Sequence, residues 1–449
     1  MLNRKINNAR FFLILGVVAY ICAFLLSYEQ WVVPRYEGWG MSYRNVPAGY
    51  ILTSWILCLI PAIWMPRDLM RPSQLLFFIQ YFVIFIPTSF ILYHSGRPEL
   101  PPEEVLVLVL TLFSGLTILQ TIYKLPLLDI KRHGLSAKVF WSVFWCGSAG
   151  LFAYLLTVFG SHFQLADFKD IYDVRSASDD LVKASGSSFA GYAQMWLSGF
   201  ILPFLFSVGV FRRRWSFVAI TAAGYIYLLG IGGSKSTMLA MVYLSAIYFL
   251  VRSGGKNASL KIAICFSGLL LFPAILTLTG AAGETFDKWY VAIIHSRIFT
   301  IPQLSIGQYY NFFENHPLTY GSHITGVNLL VTYPYDMDIP RTIGRYFYDA
   351  ELTANVNMWA QDGIASFGLI GIPIVSAIAA VIFWFFDSIA KPHDNRFVTV
   401  LLGNIALIFA NGSIFTTLIS GGFLLLTVAL CFYPVEYNYY FHNDKNSHE

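Results

Sequence analysis

The chain has 449 residues, of which 56% are hydrophobic, 17% aromatic and only 12% charged, with a net charge of +4. A water-soluble domain carries about twice that charged fraction, so the composition excludes a soluble globule, and the abundance of apolar residues excludes a disordered chain. The small net charge argues against a nucleic-acid-binding protein. The five cysteines lie in apolar runs without a CxxC pair, which indicates small core residues and not disulfides or metal ligands.

Twelve apolar runs each approach the roughly 20 residues that a helix needs to cross a bilayer. We therefore predict an all-α polytopic membrane protein with about 12 transmembrane helices, forming a single integral membrane domain over residues 1–449. The runs are residues 11–27, 49–65, 75–94, 105–123, 140–160, 189–211, 215–232, 237–251, 262–280, 363–390, 397–412 and 416–435. The first run lacks a clear cleavage site and is interpreted as a retained span. An alternative for the last two runs is one re-entrant hairpin.

Charges divide unevenly between alternate connections of these spans. Of the 29 Lys and Arg residues, 18 fall in the connections on the side of the N-terminus, whereas 18 of the 25 Asp and Glu residues fall on the other side. Short cytoplasmic loops are enriched in Lys and Arg. Both termini are therefore predicted to be cytoplasmic.

Two connections on the predicted outer side are long, residues 161–188 and 281–358. Long loops in compact folds are usually functional. The second loop carries apolar residues at helical spacing from Phe286 to Ile298, and again after Pro302. This pattern predicts amphipathic helices, which we expect to lie at the outer membrane surface and to form a lid.

Eight basic residues in the outer connections indicate an anionic substrate, because guanidinium and ammonium groups bind phosphates. They are Lys169, Arg175, Lys183, Lys235, Lys288, Arg297, Arg341 and Arg345. For any single residue, contact with lipid headgroups or nearby acids is the alternative.

Lys235 lies in the sequence Gly232-Gly-Ser-Lys-Ser236, in a connection of a few residues between two spans. Small neighbours allow backbone amides to approach an anion, whereas the alternative is a lysine that extends toward the membrane surface at a tight turn. Arg341 and Arg345 follow Pro340 at a spacing of four, which places them on one face of a helix.

Carboxylates and histidines in the long outer loop are candidate metal ligands and bases. Asp336-Met-Asp338 is superficially similar to the metal-binding acid pair of nucleotide-sugar transferases, but we interpret it as a turn or helix cap. We predict no metal and no cofactor. His316 is a candidate base, and the sequence contains neither an HExxH motif nor a Ser-His-Asp order.

Several of these segments together resemble the O-antigen (oligosaccharide repeat-unit) polymerases of the Wzy type. The resemblance covers most of residues 165–415. It rests on Arg297-Ile-Phe-Thr-Ile-Pro-Gln-Leu304, Tyr309-Tyr-Asn-Phe-Phe-Glu-Asn-His-Pro317, Asn355-Val-Asn-Met-Trp-Ala-Gln-Asp-Gly363, Phe367-Gly-Leu-Ile-Gly371, Tyr172-Asp-Val-Arg175 and Gly233-Ser-Lys-Ser236.

The resemblance implies an inverting glycosyltransferase of the C class in the bacterial inner (plasma) membrane, with its active site facing the periplasm. Such an enzyme transfers a growing glycan from undecaprenyl diphosphate onto an incoming lipid-linked repeat unit, and a chain-length regulator protein is a possible partner. Related ligases use basic residues against the diphosphate, one of them usually an arginine in a Ser/Thr-Arg turn. Lys235 occupies the matching position without the bidentate fork of arginine.

The residue roles that follow are expectations from this resemblance. Lys235, Arg297 and Arg175 are expected to bind the donor diphosphate, with Arg341 and Arg345 as second-rank candidates. Candidate bases are His316, Glu284 and His295, and further expected substrate contacts are Tyr172, Asn357 and Asp362.

Two alternative functions stay open at this point. An O-antigen ligase differs in its acceptor alone. A lipid-linked oligosaccharide flippase has a similar number of spans and binds the same lipid diphosphate, but transporters of that kind show internal repeats and a charged internal cavity. No span pair in this sequence looks repeated, and its cations lie at the outer rim.

Overall fold

A computed structural model describes residues 2–131, 134–164, 171–184, 189–232, 235–280, 289–349 and 352–434. These residues form a bundle built from helices, without a strand among them. Nine helices of this described part are long and apolar enough, by length and composition, to cross a membrane. The prediction of an all-α polytopic membrane protein is therefore confirmed at that level.

The helices are numbered in chain order. They are α1 (Asn8–Trp39), α2 (Ala48–Trp64), α3 (Gln74–His94), α4 (Pro102–Lys124), α5 (Ala137–Phe159), α6 (Ile171–Ala184), α7 (Phe189–Phe211), α8 (Trp215–Gly232), α9 (Lys235–Val251), α10 (Ala258–Thr279), α11 (291–299), α12 (Ile301–Asn315), α13 (Ile339–Tyr348), α14 (359–367), α15 (Gly371–Ala390), α16 (Asn395–Leu401), α17 (Gly403–Ala410) and α18 (Ile414–Phe432).

Three of the twelve predicted spans correspond to shorter helices. Helices α2 and α9 have 17 residues each, and the predicted span 397–412 is divided into α16 and α17. The number of membrane crossings stays a prediction.

Connections that the charge distribution assigns to the cytoplasm meet at one end of the bundle, called here the inner end. The Arg10 guanidinium donates to the carbonyl of Met65 at 2.6 Å, and the Asn257 amide donates to the Asp68 carboxylate at 2.7 Å. The inner end therefore joins the start of α1 to the α2–α3 and α9–α10 connections.

The connections that the charge distribution assigns to the other side of the membrane meet at the opposite end of the bundle, called the outer end. The Ser42 hydroxyl donates to the carbonyl of His94 at 2.5 Å, and Arg44 forms an ion pair with Glu99 at 2.6 Å. Which end faces the cytoplasm stays a prediction from the charges.

Within the long outer loop, residues 289–315 enter the bundle and do not lie on its surface. The Phe299 ring, at the end of α11, packs against Phe266 of α10 at 5.3 Å and near Tyr20 of α1 at 6.3 Å. Helix α12 then returns outward, since Gln303 donates to the carbonyl of Val83 at 2.6 Å near the middle of α3. Residues 289–315 thus form a re-entrant segment.

The expectation of surface-lying lid helices is wrong for α12. Its residues are buried from Pro302 to Tyr310, together with Phe312 and Phe313. Helical periodicity in an apolar segment indicates that one face avoids water, but it does not distinguish a lipid headgroup layer from a groove between helices. Irregular backbone at membrane depth is tolerated where protein covers it, and α3 supplies part of that cover.

A second re-entrant segment precedes α15. Asn357 contacts Gln80 of α3, after which α14 runs outward along α15. The Trp359 indole donates to the Ser376 hydroxyl at 2.8 Å, and the backbones of Gly363 and Gly371 meet closely. These pairs give an antiparallel arrangement, with the reversal at Gly368, where φ is +62°.

The last two predicted spans form a hairpin that extends from one end of the bundle to the other. Near the inner end, the His393 imidazole contacts the carbonyl of Leu430 at 2.9 Å. At the outer tip, the Ser413 hydroxyl donates to Asp362 at 2.6 Å. Whether this hairpin crosses the membrane twice or is re-entrant stays a prediction.

All five cysteines are free thiols, but their expected burial is only partly correct. Cys58 is buried, whereas Cys22, Cys146 and Cys265 are exposed on the outside of the bundle. In an apolar span, small residues suit a lipid-facing surface as well as a protein core, so the sequence did not separate the two.

Candidate functional site

A cleft of about 450 Å³ opens at the outer end of the bundle. It lies between the connection that follows α12, the start of α13, the second re-entrant segment and the tip of the α17–α18 hairpin. Its walls present hydroxyl, amide, carboxylate, imidazole and phenol groups beside a few apolar ones. The lining residues are Ser322, His323, Asn328, Tyr333, Asp338, Ile339, Pro340, Asn355, Gln361 and Thr416.

Asp362 lies behind the wall of the cleft and joins three separate segments. It is 4% exposed. Its Oδ1 accepts a hydrogen bond from Ser413 at 2.6 Å and lies 3.2 Å from the Nε2 atom of His323, and its Oδ2 accepts the amide of Ile414 at 2.7 Å. A buried carboxylate needs such donors, and this one fixes the hairpin tip and the His323 ring.

The second ring nitrogen of His323 is also engaged. Its Nδ1 lies 3.2 Å from the hydroxyl of Thr319, which in turn donates to the carbonyl of Ala365 at 3.0 Å. His323 is therefore held on both sides while it lines the cleft. Both carboxylate oxygens of Asp362 are therefore occupied by protein groups. A direct contact of Asp362 with substrate stays a prediction.

Asp338 is the carboxylate that opens onto the cleft. Its side chain is 58% exposed and lies 3.8 Å from the Arg341 guanidinium, one turn into α13. Nearby, the Tyr333 hydroxyl donates to the carbonyl of Met337 at 2.7 Å. Burial and the Asp338 carboxylate raise the pKa of Tyr333, so this phenol stays protonated at neutral pH and acts as a donor.

The Asp336-Met-Asp338 segment leads directly into helix α13, as the sequence predicted. Asp338 occupies the residue before α13, with Pro340 in the first turn, although its side chain caps no backbone amide. In the described part of the chain, no three His, Cys, Asp or Glu side chains are grouped as a metal site requires. Metal independence stays a prediction.

Lys235 begins α9 close to the level of the cleft. Gly403 packs against Leu244 of α9, and Ser413 follows Gly403 by ten residues toward the outer end. Lys235 lies nine residues before Leu244, also toward the outer end, which is about 13 Å along a helix. Because α9 and α17 are antiparallel and meet at Leu244 and Gly403, the backbone of Lys235 lies near the level of the hairpin tip. Its side chain lies outside the described atoms.

Arg297 lies apart from the cleft. It is exposed and begins the last turn of α11, two residues before the deeply placed Phe299. The cleft begins beyond the far end of α12, whose 15 residues extend about 22 Å. The structure thus separates Arg297 from Asp338 and from the rest of the cleft lining. The expected grouping of Arg297 with Lys235 and Arg175 stays a prediction.

Two of the predicted bases do not line the cleft. His295 is 1% exposed and contacts the Ser27 hydroxyl at 2.7 Å, so a glycan cannot reach it without rearrangement. His316 stacks on Phe312 with ring centres 3.9 Å apart, and its Nδ1 contacts the carbonyl of the same residue at 2.8 Å.

Asn357 is fully buried at the start of α14. Its side-chain oxygen accepts the amide of Trp359 at 3.2 Å, and its carbonyl accepts the amides of Ala360 and Gln361. These bonds start α14 inside the bundle, where free backbone amides are costly. A direct contact of Asn357 with substrate stays a prediction.

The remaining predicted residues are spread over the outer end. Arg345 is exposed one turn after Arg341 on α13. Tyr172 and Arg175 lie on α6, and their side chains are outside the described atoms. Glu284 lies outside the described residues, as do Lys169 and Lys288.

Sequence reasoning missed the central imidazole of the cleft. His323 is separated from Asp362 by 39 positions, and no motif connects the two. A weak signal was present, because Gly321-Ser-His323 supplies turn residues and an imidazole inside a loop already considered functional. Asn355 and Gln361 lie in the segment from Asn355 to Gly363 that resembles the polymerase family, and no pattern in that segment predicts a role for either of them.

Comparison of the chain with protein-family models, with curated proteins and with solved structures gave no match.

Proposed function

We propose that this protein polymerises lipid-diphosphate-linked oligosaccharide repeat units at the outer end of its helical bundle. The observation that carries the proposal is the polar cleft at that end of an apolar bundle. Small-molecule sites are concave and contain a few convergent polar groups, and the hydroxyl, amide and phenol groups of this cleft suit the hydroxyls of a sugar.

The two re-entrant segments support this location. In membrane proteins that act on polar substrates, interrupted helices commonly supply the binding site, because their ends expose polar backbone where protein covers it. Asn355 and Gln361, which flank the start of α14, both line the cleft.

The chemistry proposed is a single in-line displacement at the anomeric carbon, with inversion. The acceptor sugar binds against Asn355, Gln361 and Tyr333, and Asp338 accepts the proton of its attacking hydroxyl. Geometry favours Asp338, since it is the carboxylate of the cleft wall with an exposed side chain.

Departure of the lipid diphosphate requires stabilisation of the developing negative charge. Arg341, 3.8 Å from Asp338, and Lys235, at the level of the hairpin tip, are proposed to provide it. Arg297 is left out of this reaction centre because it lies a helix length away. His323 and Asp362 are proposed to hold the cleft wall in shape.

The test is the glycan pattern of the source cells with and without the gene, with plasmid-borne wild type and Asn355→Ala/Gln361→Ala as complements. Polymerase function predicts single capped repeats on deletion, a restored ladder with wild type and little ladder with the double variant. Complete loss of glycan from lipid A would indicate a ligase, and precursor accumulated in the inner leaflet a flippase. Either result would overturn the proposal.

A further inference from the structure

A second cavity lies on the outside of the bundle, along the first half of α5. This groove has a volume of about 520 Å³, and all of its lining residues belong to α5, among them Lys138, Trp141, Trp145 and Cys146. Helix α5 is apolar but only slightly covered by other helices, so the groove faces the surrounding membrane. It lies at the end of α5 next to the inner end of the bundle.

The residue that precedes α8 supplies a second cation beside the same aromatic group. The Arg214 guanidinium, which directly precedes α8, lies over the Phe217 ring at 5.8 Å. That ring is 5.6 Å from Trp141 and 5.8 Å from Trp145. Lys138 on α5 and Arg214 just before α8 thus lie beside one aromatic cluster, formed by Trp141, Trp145 and Phe217.

Neither Lys138 nor Arg214 forms an ion pair with another residue of the described part of the chain. Both are exposed. Basic residues near the cytoplasmic ends of membrane helices attract anionic lipid headgroups, and indole rings suit the boundary between headgroups and acyl chains.

We propose that this groove binds an anionic phospholipid. Its phosphodiester contacts Lys138 and Arg214, and an acyl chain lies along Trp141 and Trp145. The positive charge beside the groove favours a lipid over a second copy of the chain as its occupant. A symmetric dimer through the groove would bring the cations of both copies together, and like charges oppose association.

The test uses the full-length protein purified in detergent and native mass spectrometry with phosphatidylglycerol or phosphatidylcholine of identical acyl chains. Wild type is expected to retain phosphatidylglycerol more tightly than phosphatidylcholine. Lys138→Gln/Arg214→Gln is expected to weaken phosphatidylglycerol binding about 30-fold, which is roughly 2 kcal/mol for two cations near a lipid surface.

The matched control is Arg252→Gln/Lys256→Gln. It removes the same charge from exposed residues at the same end of the bundle, and Arg252 likewise lies over a phenylalanine ring. Less than threefold weakening is expected. Equal weakening in both double variants would overturn the proposal, as would equal retention of the two lipids by wild type or a dimer that masks the groove.

A second measurement does not depend on the charge variants. Brominated phosphatidylglycerol is expected to quench tryptophan fluorescence in wild type more than in Trp141→Phe/Trp145→Phe, because these two indoles contact the bound chain. Undiminished quenching in the phenylalanine variant would place the lipid elsewhere and contradict the assignment.

Discussion

Two carboxylates near the start of α13 differ in their surroundings although they are two positions apart. Asp338 lines the cleft and lies 3.8 Å from Arg341, whereas Asp336 is exposed and is not among the lining residues. Proximity to a bound hydroxyl, and not the residue type, decides which of them can act as a base.

We expect Asp338→Asn to lower the polymerisation rate about 10²- to 10⁴-fold, the usual range for loss of a general base. Asp336→Asn, the matched control, should retain a rate within about threefold of wild type, since it removes the same charge outside the cleft. Initial rates of purified protein with a lipid-diphosphate-linked repeat unit provide the measurement. Similar rates for the two variants would remove Asp338 from the mechanism.

Arg341 and Arg345 form a second matched pair, one turn apart on α13. We expect Arg341→Gln to slow polymerisation about 10- to 100-fold, because a cation beside the cleft stabilises the leaving diphosphate. Arg345→Gln should have little effect. Rates are compared at equal abundance of protein in the membrane, and a larger loss in Arg345→Gln would show that the diphosphate lies on another side of α13.

Lys235 is expected to act through its charge. Lys235→Ala should abolish the glycan ladder, whereas Lys235→Arg should retain a substantial part of it, because arginine preserves the positive charge at the start of α9. Ladders are compared in cells that express each variant at wild-type abundance. A normal ladder from Lys235→Ala would show that this lysine serves only the membrane surface.

Helices α14 and α15 pack with almost no space between their backbones. A Cβ atom at Gly371 would lie only 2.0 Å from the carbonyl oxygen of Gly363, so a side chain there forces α14 away from α15. Since α14 carries Gln361 and Asp362, this contact between two glycines sets the position of the cleft wall. The distance between two backbones is fixed here by the absence of side chains.

We therefore expect Gly371→Ala to destabilise the protein by about 1–3 kcal/mol, as overpacking does, and to lower activity as well. Gly268→Ala is the control, because no atom lies within 4 Å of a Cβ added at that position in α10. Its thermal midpoint should be unchanged or higher, given the better helix propensity of alanine. Unfolding in detergent, followed by intrinsic fluorescence, measures both. An unchanged midpoint for Gly371→Ala would mean that the re-entrant segment packs differently.

The connections between helices form two sets, one at the inner end of the bundle and one at the outer end. Which of these ends faces the cytoplasm can be tested directly. In a cysteine-free background, Asn328→Cys at the outer end should react with an impermeant maleimide added to spheroplasts. Lys256→Cys at the inner end should react only after permeabilisation. The reverse pattern would contradict the orientation inferred from the charges, and reaction of both from outside would contradict the separation into two ends.

The sequence by itself determined the class of this protein. Apolar runs of membrane length admit few folds, because a helix satisfies its own backbone hydrogen bonds where water is missing. The same rule located most of the spans, including the one that became α4. A separate feature of the sequence, Pro340, predicted the helix start after Asp338, because proline fits the first turn of a helix.

Only the tertiary structure decided which residues meet in the cleft. His323 and Asp362 are 39 positions apart, and Lys235 reaches the same level only through the packing of α9 against α17. Arg297 and His295 belong to the same loop as Asp338, yet α12 separates them from it. Hydrophobic periodicity reports whether a segment is buried, but not against what. The depth of a re-entrant helix depends on the groove that other helices leave for it, a property of the packed bundle and not of the segment.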